Sequence, residues 1–211
     1  MYITVFGGTG ATGLLLIEKA LQDGHTVTAF ARTPSKISIQ HSNLKIVKGE
    51  LTEPDRIEEA IKGADTVISV LGPAQKTKGL VIADGIKTIV ETMKRNDVKR
   101  LIATATPSFK DSNDKFQFGF SFGVFMVKAF IKDSYKNIVL TGKHITESGL
   151  DWTIVRLPML SDKPASGKIN AGYTGDGTVR LFSLSRADLA NFLLQQVEDR
   201  KWLHKSPVIS N

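Results

Sequence analysis

The stretch VFGGTGATG, Val5 to Gly13, sets four glycines in nine residues near the start of the chain. Each glycine costs backbone order on folding, so a loop this rich in them needs a physical reason. Gly8, Gly10 and Gly13 satisfy G-x-G-x-x-G, and Gly7, Gly10 and Gly13 satisfy G-x-x-G-x-x-G. The loop follows a strand-like run, YITVF (2–6), and opens a helix-like one, TGLLLIEKALQDG (12–24). In that setting the pattern reads as a dinucleotide fingerprint rather than an ordinary glycine turn. A tight turn needs positive φ, a diphosphate needs bare backbone to approach, and free amides at a helix N-terminus point at anionic oxygens. Thr9 and Thr12 add hydroxyl donors.

The rest of the chain continues the alternation. HTVTAFAR (25–32), LKIVKGE (44–50), DTVISVLG (65–72), VKRLIATAT (98–106) and LDWTIVRLPM (150–159) read as strands, with SPVIS (206–210) as a last one. EPDRIEEAIKG (53–63), LVIADGIKTIVETMKRN (80–96), NIVLTGKHITESG (137–149) and SLSRADLANFLLQQVED (183–199) read as helices, the last opened by a Ser185/Asp188 capping box. Strands apolar throughout and alternating with helices predict an α/β doubly wound parallel sheet, a Rossmann fold, in one domain spanning 1–211. Two segments break the rhythm, 107–134 and 161–182. Both follow strand C-termini, where ligands bind in such sheets, so they are expected to form a small substrate-covering region.

Composition narrows the classes. The 211 residues carry no cysteine, which excludes disulfides, thiolate metal sites and a cysteine nucleophile. The net charge of +7 comes from scattered lysines and arginines. The densest run, KRNDVKR (94–100), lies between a helix and a strand, as a solvated turn would, so no nucleic-acid partner is expected. No basic-then-apolar leader and no apolar run near the roughly 20 residues of a membrane span occur, which predicts a cytoplasmic protein. No His/Asp/Glu spacing suggests a metal site.

The second strand ends AFARTPSK, without Asp or Glu between Phe30 and Lys36. An acidic residue there would bind the ribose hydroxyls of NAD. Arg32, Ser35 and Lys36 stand there instead, and a guanidinium grips a phosphate dianion with paired hydrogen bonds. The expected cofactor is NADP(H) in preference to NAD(H).

VFGGTGATG, ARTPSK, VISVLG, LIATAT and ESGLDWTIVRLPML follow one another at spacings that resemble the atypical short-chain dehydrogenase/reductases, the NmrA-like NAD(P)-binding family. Within it the chain is most similar to the biliverdin reductase B, or flavin reductase, branch. The resemblance implies that Gly7, Thr9, Gly10, Ala11, Thr12 and Gly13 hold the pyrophosphate, and Arg32 and Lys36 the 2′-phosphate. It puts Glu50 and Leu51 beside adenine, with Glu50 replacing the usual Asp. It places Leu71 and Gly72 along the cofactor, Thr104, Ala105 and Thr106 near the nicotinamide ribose, Lys143 on that ribose, and Pro158 and Met159 near the nicotinamide amide.

Ordinary members resemble one another in a Tyr-x-x-x-Lys pair. Here Val139 stands four residues before Lys143, and Tyr135 lies two helical turns away. Reducing an isolated ketone needs a positioned acid, worth typically 10²–10⁴-fold. A flavin, quinone or linear tetrapyrrole spreads the charge and needs less help. The missing tyrosine therefore points to hydride transfer to a small conjugated substrate, with Thr106, Ser108 and Lys143 as candidate catalytic groups and His144 angled about 100° from Lys143. It equally suits a non-catalytic NmrA-like NADP(H) sensor that binds a regulatory partner. A sugar-nucleotide epimerase fits less well without the pair. Seven of the eleven phenylalanines lie between Phe109 and Phe130, either packing an added element, or a second subunit, or forming an aromatic lid. The oligomeric state stays open.

Overall fold

The computed structural model describes residues 1–72, 79–116, 132–179 and 183–211. In chain order they form β1 (Tyr2–Phe6), α1 (Ala11–Gln22), β2 (Thr26–Ala31), a 3-10 turn (Pro34–Lys36), β3 (Leu44–Lys48), α2 (Pro54–Ile61), β4 (Thr66–Ser69), α3 (Val81–Arg95), β5 (Arg100–Ala105), α4 (Lys132–Thr146), β6 (Asp151–Arg156), β7 (Leu160–Ser161), β8 (Asn170–Gly172), β9 (Leu184–Ser185), α5 (Arg186–Gln195) and β10 (Val208–Ser210). The main sheet has the order β3-β2-β1-β4-β5-β6-β10-β8. Every pairing in it is parallel except β10 with β8. This is the Rossmann order, extended at one edge, with its switch point between β1 and β4.

Side-chain alternation sends each strand's residues to two opposite cores. Ile3, Val5 and Ile102 pack with Leu16 and Ile17 of α1 and Leu189 and Leu193 of α5. Phe6, Val67, Leu101 and Ala103 pack with Ile57 of α2, Ile86 and Ile89 of α3, and Ile145 of α4. Continuous apolar runs are what a sheet buried on both faces requires.

The helices stop where glycine lets them. Gly24 and Gly63, just past α1 and α2, have φ of +81° and +79°. α4 starts at Lys132, five residues before the 137–149 run that the sequence marks as helix, and most of the phenylalanine-rich segment lies outside the described residues. β7, β8 and β9 were not anticipated. They are two or three residues long and exist only through pairing, β7 with β9 and β8 with β10.

Two carboxylates, Asp188 and the partly buried Asp114, tie the loops beyond the strand ends to this frame. Asp188 accepts from Ser166 N at 2.8 Å, Gly167 N at 3.0 Å and Asn211 Nδ2 at 2.6 Å. Ser185 caps α5 by accepting from the Asp188 amide at 3.0 Å, one half of the expected box. Arg156, fully buried at the end of β6, donates to Asp114 Oδ2 at 2.6 Å and Oδ1 at 2.8 Å, to Ser206 O at 2.7 Å and to Phe109 O at 3.1 Å. Burial opposes ionisation of Asp114, but bonds from Arg156 and from the Asp111 and Thr174 amides outweigh it and hold its pKa below the ordinary value. A depressed folded-state pKa gives stability that is complete above the unfolded pKa of about 3.9 and disappears as pH falls through the folded one. Replacing Arg156 with Met leaves a partly buried carboxylate unpaired. The variant is expected to lose about 3–5 kcal/mol at neutral pH in urea denaturation, and to lose less as pH falls through the depressed pKa of Asp114 and the carboxylate takes up a proton.

Candidate active site

The strand ends at the switch point surround an apolar cleft of about 180 Å³. Its walls are Thr12 at the head of α1, Val70 to Gly72 after β4, Thr104 to Thr106 at the end of β5, Asn137, Ile138 and Thr141 on α4, and Leu157 and Leu160 after β6, with Ile82 and Leu189 behind. None of these residues is ionisable.

The glycine loop forms one rim. Gly7 has φ of +86°, and a Cβ on it would lie 3.0 Å from the Val70 carbonyl. A Cβ on Gly13 would lie 2.3 Å from Gly7 O and 2.7 Å from Gly8 Cα. Gly10 differs: the nearest atom to its Cβ would be Gly7 O at 3.5 Å, so the protein itself leaves room there. Gly10 is the N-cap of α1 with no side-chain cap, and no acidic residue stands in the first turn. The first-turn amides of α1, including those of Ala11, Thr12 and Gly13, have no acceptor within the helix. An uncapped helix start, a glycine required by no neighbour, and open space before it fit a dinucleotide diphosphate.

At the other end, Arg32 and Lys36 are exposed, and among the described residues Arg32 has no carboxylate partner. Arg32 borders a second hollow of about 530 Å³ with Lys48, Gly49, Glu50, Thr52, Glu53 and Arg56. Arg56, which sequence reasoning missed, is oriented by a bond from its Nε to Lys48 O at 2.8 Å. Glu50 is exposed, and its amide donates to Glu53 Oε2 at 2.6 Å. Leu51 packs on Gly85, where a Cβ would come within 2.8 Å of it.

Several expected site residues are not brought to the cleft. Lys143 is exposed, its ammonium 3.9 Å from Glu147. Two residues separate it from Thr141, which turns it about 200° around the helix. Ser108 is buried and lines neither hollow; its amide donates to Thr106 Oγ1 at 3.4 Å. Met159 is 78% exposed and Pro158 half-buried, while their neighbours Leu157 and Leu160 form the wall.

Asn137 is the residue the sequence concealed. Fully buried, it accepts from Ile82 N at 3.2 Å and Ala83 N at 3.1 Å, and donates to Gly79 O at 2.6 Å and Asp133 O at 3.1 Å. It therefore caps α3, whose own N-cap Leu80 supplies no side-chain bond, and clips it to α4. A polar residue one turn before Thr141 was the available signal, but the partner helix is distant in sequence.

A family model described as NAD(P)H-binding matches residues 7–200. The chain belongs to this NAD(P)H-binding family. It is 24% identical over 223 residues to phenylcoumaran benzylic ether reductase TP7 of Nicotiana tabacum, covering 97% of this chain and 67% of that protein. It spans between about a third and two thirds of the length of such curated relatives. Among solved structures, a wide-type short-chain dehydrogenase/reductase from Veillonella parvula in complex with NADP superposes with a TM-score of 0.80 at 19% identity, covering 100% and 94% of the two chains. ChuY, an anaerobilin reductase from Escherichia coli O157:H7, gives a TM-score of 0.80 at 19% identity, covering 100% and 97%. These likenesses establish the fold. Among the described residues, no helix is long and apolar enough to cross a membrane.

The two glycines separate packing from binding. Gly13→Ala is expected to lose several kcal/mol of stability, since its Cβ would overlap backbone that cannot move aside. Gly10→Ala is expected to keep the wild-type melting temperature and to weaken NAD(P)H binding at least about tenfold, checked by calorimetry, because its methyl group would occupy the space before the amides.

Proposed function

We propose that the protein is an NADPH-dependent reductase that passes a hydride to a conjugated acceptor such as a flavin, a quinone or a linear tetrapyrrole. The observation that carries this reading is the cleft itself: apolar, at the sheet's switch point, and lined by no ionisable side chain among the described residues. Such a site can hold and orient a flat ring, but it offers no acid for an isolated ketone.

In this reading the amides of Gly7 to Gly13 hold the diphosphate, with Thr9 and Thr12 adding hydroxyl contacts. Arg32 takes the 2′-phosphate, with Lys36 beside it and Arg56 as a second guanidinium. Glu50 and Leu51 border adenine. Leu71, Gly72, Thr104 and Ala105 flank the nicotinamide nucleoside. When bound, the reduced nicotinamide supplies the hydride. The apolar walls exclude water from the path between donor and acceptor and restrict the acceptor to a near-parallel approach. The acceptor's delocalised charge is then neutralised by a proton from solvent at the mouth.

The test is NADPH oxidation with a free flavin or a naphthoquinone as acceptor. Wild-type protein is expected to turn over, and Gly10→Ala to lose activity at subsaturating NADPH. Arg32→Ala is expected to cut the preference for NADPH over NADH about 10–100-fold, the worth of one charge-assisted contact. Tight NADPH binding without turnover on any acceptor class would instead mark a sensor of cofactor state.

A further inference from the structure

Five residues around the cleft carry a polar side chain, and they differ in what remains free on them. Thr104 donates to Ser69 O at 3.5 Å. Thr106 accepts from the Ser108 amide at 3.4 Å. Asn137 is committed to four backbone partners. Thr12 belongs to the helix head that faces the diphosphate. Thr141 is different. It is 6% exposed, and its Oγ1 is shielded from solvent without a hydrogen-bond partner. A threonine in a helix ordinarily gives its hydroxyl to the carbonyl three or four residues back, here Ile138 or Asn137, and this one does not. Three other buried polar atoms are unpaired, on Thr66, Thr174 and Gln196, but none of these residues lines the cleft.

The backbone under Thr141 is held on both sides. One turn earlier, Asn137 clips α4 to the start of α3. At the next residue, the Phe109 ring lies so close to Gly142 that a Cβ there would be 2.2 Å from it. Phe109 is in turn fastened by Arg156 through its carbonyl. An unsatisfied hydroxyl that destabilises the free protein, on a helix fixed this firmly, is how a binding contact is prepared in advance.

We propose that the Thr141 hydroxyl, turning about its Cα–Cβ bond from its covered position to face the cleft, is the positioning contact for the acceptor, donating a hydrogen bond to the carbonyl oxygen or ring nitrogen on which negative charge develops. The inference rests on the reductase reading above. The C4–H bond of a bound reduced nicotinamide would break as its hydride forms the new bond on the acceptor; the nicotinamide would be oxidised by two electrons, the displaced electron pair of the acceptor would come to rest on that oxygen or nitrogen, and water would supply the balancing proton. Thr141 keeps its own proton throughout. The substrate class narrows to flat conjugated molecules with a polar atom at one edge, and excludes hydrocarbon rings without one.

The test compares Thr141→Val, which keeps the shape and removes the hydroxyl, with Thr141→Ser, which keeps the hydroxyl. The readouts are melting temperature, NADP+ affinity, FMN or menadione affinity for the NADP+-saturated protein, and kcat/KM with NADPH. For Thr141→Val the melting temperature is expected to stay level or rise, and NADP+ affinity to stay unchanged. Its acceptor affinity and kcat/KM should fall about tenfold or more, while Thr141→Ser stays near wild type. Wild-type acceptor affinity in Thr141→Val would overturn the proposal, as would a joint loss of melting temperature and NADP+ affinity. If wild-type protein binds an acceptor without turning it over, and Thr141→Val weakens that binding, the contact stands and the reductase reading falls. If no acceptor binds the wild-type protein, both fall.

Discussion

The constraint on which the site depends is the meeting of Gly13 with Gly7. A Cβ on Gly13 would fall 2.3 Å from the Gly7 carbonyl, so α1 starts hard against the end of β1 only because Gly13 lacks a side chain. That approach decides where the helix's free amides point. It also brings Thr12 to the wall of the cleft and carries Leu16 and Ile17 down onto Ile3 and Val5. The same few atoms thus seat the helix on the sheet and form the rim proposed to hold the diphosphate. Gly10 stands apart from this packing, which is why its lack of a side chain speaks for a ligand rather than for the fold.

The opposite wall is held by polar bonds instead of close backbone approach. Asn137 ties α4 to α3, Arg156 ties the loop after β5 to the end of β6, and Asp188 ties the 166–167 turn to α5. Each is buried, and each satisfies several partners at once. Losing one group would strand others in a low-dielectric interior, so these clips act cooperatively. The walls of the cleft are therefore rigid in the described segments, and a site whose chemistry depends on orientation needs that rigidity.

Much of this was legible in the chain, and the illegible parts share a cause. Continuous apolar runs and period-3.6 patterns in the first 106 residues mark β1 to β5 and α1 to α3, because the strands bury both faces and each helix a long apolar one. The loop glycines and Arg32 are readable because their roles rest on local backbone and local charge. β7, β8 and β9 are too short to carry a pattern and form by pairing with distant segments. Lys143 looks like a site residue by spacing, yet the rotation of α4 is set by Asn137 against α3 and by Gly142 against Phe109, neither of which spacing reveals. Asn137, Thr141 and Arg56 gain their meaning only from neighbours remote in sequence.

The site divides its work by distance from the glycine loop. In the proposed reading, affinity resides where backbone amides and guanidinium groups meet phosphate, and such contacts are the same for any acceptor. Selectivity then resides in the cleft, where the described residues carry no charge and shape rules. A charged acid placed there would be desolvated, and its pKa would shift toward the neutral form unless paired. A neutral hydroxyl such as that of Thr141 avoids this penalty while still meeting developing charge with a dipole. An apolar cleft with one unpaired hydroxyl among its described residues is thus consistent with the proposed chemistry, in which the acceptor carries most of the charge itself and the tyrosine of ordinary short-chain dehydrogenases is not required.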